Sequence, residues 1–487
     1  MKKRILSLLL VIAMLSLVAC TAPADISTDT TSSTDEQSTV SSEDSESDPL
    51  IDTDDYKGRT FTILQRSEHQ YEFTNDENTI DFINEKIAER NNLVQERYGI
   101  TIKTIERLGD WGQHDAFSQQ ASNEILGGST DYDLIAGYAI IMPSLTGNGC
   151  LLNWNDCAEY MNLDREWWYQ DFIDQMTIND RLYMITGDIA LTVWEAMTGM
   201  FFNKDLVESV PEVGNLYDVA REGDWTYDYF LQTLKACDPK QSGVAEDQKV
   251  YSYLTYCTTQ IDLWQDAFDI NVTDKDANGK PYFAVGNSTK MVDTVEKIYD
   301  LTQQEYVKFV TDTSVAMDGV VKQFGQGKAY FCPLNLSYGT TLAQDQISYG
   351  ILPMPKYDEN QDNYTSTCRD DYSVFGIPLC KDADKAFIAT ITEALCYYSN
   401  KVVVPAYYET ILKTRNTYDT DSEDMIDEIR KGLRCNFGYL YSMNLEWAGH
   451  QMNVIINAGS KEWVSNWESK VGSFESALDL QLEYYYK

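Results

Sequence analysis

Residues 58–64 read GRTFTIL, residues 80–98 read IDFINEKIAERNNLVQERY, and residues 132–136 read YDLIA. The first is a short β-branched and aromatic run that gives way to polar Gln65, Arg66 and Ser67, as a buried strand does on reaching a loop. The second sets Ile83, Ile87 and Val94 at helical intervals and stops at Gly99. Residues 100–105 then read as a second strand, a further helix ends at Gly127 and Gly128, and 132–136 is a third, buried strand closing at Gly137 and Tyr138. Strand, helix, strand, helix, strand predicts an α/β chain whose mostly parallel sheet is covered on both faces. Ligands of such sheets sit beyond the carboxyl ends of the strands, which singles out Gln65, Arg66 and Tyr138.

The chain begins with Lys2, Lys3 and Arg4, followed by an apolar run over 5–18 broken only by Ser7 and Ser16. A membrane core needs about 20 apolar residues, so this run reads as a secretion signal. Its end, Leu17-Val18-Ala19-Cys20, resembles the bacterial lipobox, which implies a signal peptide over 1–19, lipid attachment at Cys20 and a location on the extracytoplasmic face of the cell membrane. Between residues 21 and 55 there are eleven acids and no base, with little to bury, so 20–55 is expected to be a disordered acidic tether.

Lys and Arg total 38 against 77 Asp and Glu, a net charge of −39. That balance excludes nucleic acid and an anionic bilayer surface as partners, since both need clustered cations. The length beyond the tether suits two or three domains, and 10 Trp with 33 Tyr serve cores as well as sugar-stacking surfaces. Nine cysteines follow Cys20 without C-x-x-C spacing or a neighbouring His, so no zinc site is expected and most read as buried thiols. His69, His114 and His450 are scattered and read as surface or capping residues, and no H-E-x-x-H, G-x-S-x-G or phosphate loop occurs. Residues 274–279 (DKDANG) match half of a calcium loop, but Val285 stands where a bidentate Glu is required, and Asn278-Gly279 is better read as a β-hairpin turn. No catalytic residue, cofactor or metal is assigned.

Residues 178–205 (INDRLYMITGDIALTVWEAMTGMFFNKD) contain a hairpin-like turn at Asn179-Asp180, strands around Gly187-Asp188, and an apolar strand ending in Phe201-Phe202-Asn203-Lys204-Asp205. This stretch resembles the passage between lobes in extracellular solute-binding proteins of family 1, the sugar-type substrate-binding lipoproteins of ABC transporters. Residues 91–100 (NNLVQERYGI), Trp167-Trp168, Gly187-Asp188, 223–226 (GDWT), 324–329 (FGQGKA) and 349–357 (YGILPMPKY) are similar to blocks of that family in the same order. The resemblance implies a two-lobed periplasmic-binding-protein-like fold of type II with a hinge of two or three crossings. Lobe one would take 56–188 plus 329–382, and lobe two 189–328 plus 383–487. It further implies a monomeric receptor that captures a small solute, first of all an oligosaccharide, and delivers it to ABC permease subunits. The ligand-binding residues implied are Gln65, Arg66, Tyr138, Asp188, Trp194, Trp264, Tyr338, Arg369, Asp370 and Trp447, with Trp stacking on sugar faces and Asp and Arg holding hydroxyls. Two other classes remain open from sequence: a surface enzyme acting on polysaccharide, and a receptor sensing ligand for a signalling partner.

Overall fold

The computed structural model describes residues 48–74, 82–128, 130–345, 347–368, 370–380, 383–413 and 420–487. The signal peptide, Cys20, most of the tether and Arg369 lie outside the described residues. Among the described residues no helix is long and apolar enough to cross a membrane.

Strands β1 (Thr60–Arg66), β2 (Thr101–Arg107) and β3 (Leu134–Tyr138) fall where the sequence predicts them, each running two residues further. They alternate with helices Phe82–Tyr98 and His114–Leu126. Next come β4 (Thr198–Asn203), β5 (Tyr251–Tyr256), the short pair β6 (Thr273–Lys275) and β7 (Pro281–Phe283), β8 (Val307–Val310), β9 (Ala329–Asn335) and β10 (Tyr349–Leu352). Finally there are β11 (Ser366–Thr367), β12 (Ser373–Gly376) and β13 (Leu433–Arg434). Two main sheets result, in the orders β12-β3-β1-β2 and β10-β4-β9-β5-β8. The first is parallel except for β12, which runs antiparallel to β3. In the second, β5 is parallel to both β8 and β9, whereas β4 is antiparallel to β9 and to β10.

Burial explains the order. Strands β3, β4 and β5 are wholly buried, while β2, with Lys103, Glu106 and Arg107, is half exposed at an edge where charge discourages further pairing. The second sheet is held by an aromatic core in which Phe230 meets Trp225 at 5.6 Å, Tyr253 at 5.3 Å, Trp264 at 5.8 Å and Phe331 at 5.8 Å. Helix Lys385–Tyr398 belongs with the first sheet, Phe387 packing on Phe61 at 5.7 Å and on Tyr56 at 5.0 Å.

The division expected at 329–382 and 383–487 therefore differs from the hydrogen bonding. β9 and β10 join the second sheet through β4, and helix Lys385–Tyr398 returns to the first. The folded body also begins earlier than residue 56. Leu50 is buried, Arg97 donates to the Leu50 carbonyl at 3.1 Å and to Asp52 at 2.7 Å, and Tyr98 donates to the Ile51 carbonyl at 3.0 Å.

The Asn179-Asp180 turn is present, with φ of 51° and 59° and Ile178 bridging Arg181. Around Gly187 there are isolated bridges, Gly187 to Trp168 and Ile185 to Phe375, rather than a strand. The Asn278-Gly279 hairpin forms as β6 and β7, the Asp276 carboxylate accepting from the backbone of Asn278 at 2.8 Å and of Lys280 at 2.9 Å.

Candidate functional site

In the first sheet the carboxyl ends of β1 and β3 lie beside the entry to β12, where Tyr138 pairs with Ser373. Arg66, the last residue of β1, is fully buried beneath that edge. Its guanidinium sits 5.0 Å over the Tyr138 ring, and its Nη1 bonds both Asp110 at 2.6 Å and Asp371 at 3.1 Å. Asp110 comes from the loop after β2, and Asp371 just precedes β12. Arg66 Nε and Nη2 have no hydrogen-bond partner among the described residues. Burial works against the Arg66 charge, yet Asp371, Glu72 and Asp110 together hold its pKa above the ordinary arginine value. Gln65 is buried and donates to Thr74 at 2.9 Å.

His69 stands three residues beyond Arg66, its Nε2 3.5 Å from Asp110 and 3.8 Å from Asp371. Burial would lower its pKa, but the hydrogen bond to Asp110 prevails and the pKa is raised. Asp110 itself is held below the usual carboxylate range, burial being outweighed by His69 and Arg66. His69, Asp110 and Asp371 offer three ligand atoms within 4.8 Å of one another, as a metal ion would need. The Arg66 guanidinium already bridges both carboxylates, so a cation placed there would meet a fixed positive charge.

The second sheet presents its own carboxyl ends to this floor. Asn335 at the end of β9 pairs with Thr198 at the start of β4, and Ser337 donates its N–H to the Glu195 carbonyl at 3.1 Å. Glu195 is thereby placed at the strand ends, where its carboxylate accepts a short hydrogen bond from the Tyr71 hydroxyl, a residue carried by the turn after β1. Burial pushes the Glu195 pKa up to about 7, the Tyr71 bond opposing and the Glu72 charge assisting. Tyr338, half-buried, begins the helix that follows β9.

After β5, the Asp262 carboxylate accepts from His450 Nδ1 at 2.8 Å, which fixes the loop carrying Trp447. Glu446 and Trp447 both have left-handed backbones, φ 52° and 63°, a conformation that costs about 1–3 kcal/mol per residue unless the surroundings enforce it. They do: Trp447 N–H donates to the Ser442 carbonyl at 2.7 Å, and the Trp447 carbonyl accepts from Gln451 at 2.9 Å. The Trp447 ring, 37% exposed, meets the 56% exposed Trp111 edge-on at 6.0 Å, so the loop after β2 and the far end of the chain touch across the site.

The remaining sequence candidates lie elsewhere. Asp188 and Trp194 are buried in the crossing between the sheets. Asp188 accepts from Trp194 Nε1 at 3.1 Å, Tyr169 at 3.3 Å, Asn400 at 2.7 Å and Arg430 at 3.4 Å. They tie the first crossing to two later segments beside a cavity of about 860 Å³ lined by Tyr169, Asn400, Arg430 and Cys435. Trp264 is a core residue against Tyr227 at 5.8 Å and Phe268 at 5.3 Å, because its helix packs under the second sheet. Asp370 is buried next to the floor, and Arg369 lies outside the described residues. The sequence reading missed His69, Asp110, Trp111, Glu195 and Asp371. Position just after β1 or β2, or just before β4 or β12, was the signal that could have pointed to them.

No family model matches the chain, and no curated protein matches it. Solved structures do. One is an ABC substrate-binding protein of Listeria monocytogenes in complex with cycloalternan, with TM-score 0.53, 12% identity, and 87% of this chain and 98% of that chain covered. Another is a cyclo/maltodextrin-binding protein complexed with maltotetraose, also with TM-score 0.53 and 12% identity, covering 87% of this chain and 96% of the other. The chain thus has the two-lobed, periplasmic-binding-protein-like α/β fold.

Proposed function

We propose that the protein is an extracytoplasmic solute-binding receptor that takes an oligosaccharide into the space between the carboxyl ends of its two sheets. The arrangement of Asp110 and Asp371 on Arg66, with the exposed Trp111 and Trp447 rings nearby, carries this reading. A sugar hydroxyl both donates and accepts, so it suits a site where carboxylates lie beside guanidinium N–H groups. Its C–H faces suit aromatic rings. The two solved structures named above were both determined with oligosaccharides.

In this reading lobe one is built on the first sheet and lobe two on the second, and the crossings at 188–198, 353–368 and 399–413 form the hinge. Ligand bound to both lobes favours the closed form. Cys20 carries the lipid, the acidic tether keeps the lobes near the membrane, and the cargo passes to ABC permease subunits. Gln65, Arg66, Tyr138, Tyr338, Asp370 and Trp447 remain ligand-site candidates, joined by His69, Asp110, Trp111, Glu195 and Asp371. Thermal melting of the tether-less protein with a panel of neutral oligosaccharides tests this. A bound member raises the melting temperature, since ligand binds only the native state; a panel that produces no shift, together with release of reducing ends from polysaccharide, overturns it. Replacing Cys20 with Ser should release the protein from membranes without altering binding.

A further inference from the structure

Around the strand ends the charges are unevenly matched. Glu68 accepts from the backbone of Gly109 at 3.1 Å, directly beside Asp110. Asp110 and Asp371 face outward, 36% and 43% exposed, while Glu72 is buried and Glu195 half-buried. Asp262 is buried against His450, under the loop that carries Trp447. Against these, the described residues of the floor supply Arg66, whose Nη1 is shared by two carboxylates and whose side chain has no exposed surface, and the imidazoles of His69 and His450.

We infer that the site admits uncharged glycans and turns away anionic ones, such as chains bearing uronate or sulfate groups. This rests on the receptor reading and narrows its ligand class. Hydroxyls gain charge-assisted bonds from Asp110 and Asp371. A carboxylate or sulfate brought to the same place meets two exposed carboxylates with the nearest guanidinium already neutralised, so selection comes from repulsion as much as attraction.

The test compares maltotetraose and cellotetraose with the same chains oxidised at C6 to uronates, by calorimetric titration of the unaltered protein and of Asp110→Asn and Asp371→Asn. At low ionic strength each bound neutral chain should exceed its uronate by at least tenfold in affinity. Added salt should narrow that ratio. Both Asn variants, checked by melting for intact folding, should narrow it severalfold. Equal or tighter binding of the uronates, or a ratio unmoved by both substitutions, overturns the inference. Uronates that bind while the neutral chains stay silent overturn it and leave the receptor standing, whereas silence of both series in the unaltered protein removes the two readings together.

Discussion

Removing the Arg66 guanidinium would leave Asp110 and Asp371 facing each other with only His69 between them. Loss of one partner of a fully buried pair costs about 3–5 kcal/mol. Both carboxylates here are more than a third exposed, so solvent screening reduces the expected cost of Arg66→Ala to about 2 kcal/mol in urea unfolding. Arg66→Lys should recover only part of it, because an ammonium does not span two carboxylates as a planar fork does. Glu195 gives a pH signature. Its folded pKa of about 7 lies above the ordinary 4.5, so between those values the folded state keeps a proton that the unfolded chain has released. Stability therefore falls as pH rises through that window, by up to about 1.4 kcal/mol per pH unit from this group. Urea midpoints at pH 5 and 7.5 should differ less in Glu195→Gln, with a residual slope from Glu393 and Asp266, which burial also pushes to about 7. At this scale the sequence showed that Gln65, Arg66 and Tyr138 stand at strand ends, since a strand's last residues are local facts. Glu195 was hidden because its role depends on Tyr71 arriving from 124 residues away.

Elements whose signal is local were legible: the first three strands, the helices between them, and both tight turns, because each depends on a residue pattern or on left-handed positions at Asn179 and Asp180. Membership in a sheet was not. Nothing in Ala329–Asn335 or Tyr349–Leu352 announces that they pair with Thr198–Asn203, so the division expected at residue 329 does not follow the sheets. The same limit misplaced Trp264, whose aromatic helix reads alike whether it faces core or ligand. Two substitutions separate these cases. Trp264→Ala empties a packed core and should cost about 3–5 kcal/mol in unfolding while leaving the dissociation constant of any bound oligosaccharide unchanged. Trp447→Ala, on a surface loop, should do the reverse, weakening binding about tenfold with little change in stability.

For the whole molecule, contacts between the two sets of strand ends rest on a few residues. Tyr71 with Glu195 and Trp111 with Trp447 join segments that belong to different sheets. If the lobes hinge, Trp111→Ala and Trp447→Ala should each enlarge the radius of gyration of the unliganded protein in X-ray scattering, and the double variant should add nothing further. Additive effects would show that the rings do not act as a pair. Eight of the ten tryptophans are buried, and only Trp111 and Trp447 stand in water. Emission at the red edge of the spectrum should therefore come mainly from this pair, so the molecule carries an optical gauge at the mouth of its own site, able to report what enters without any attached dye.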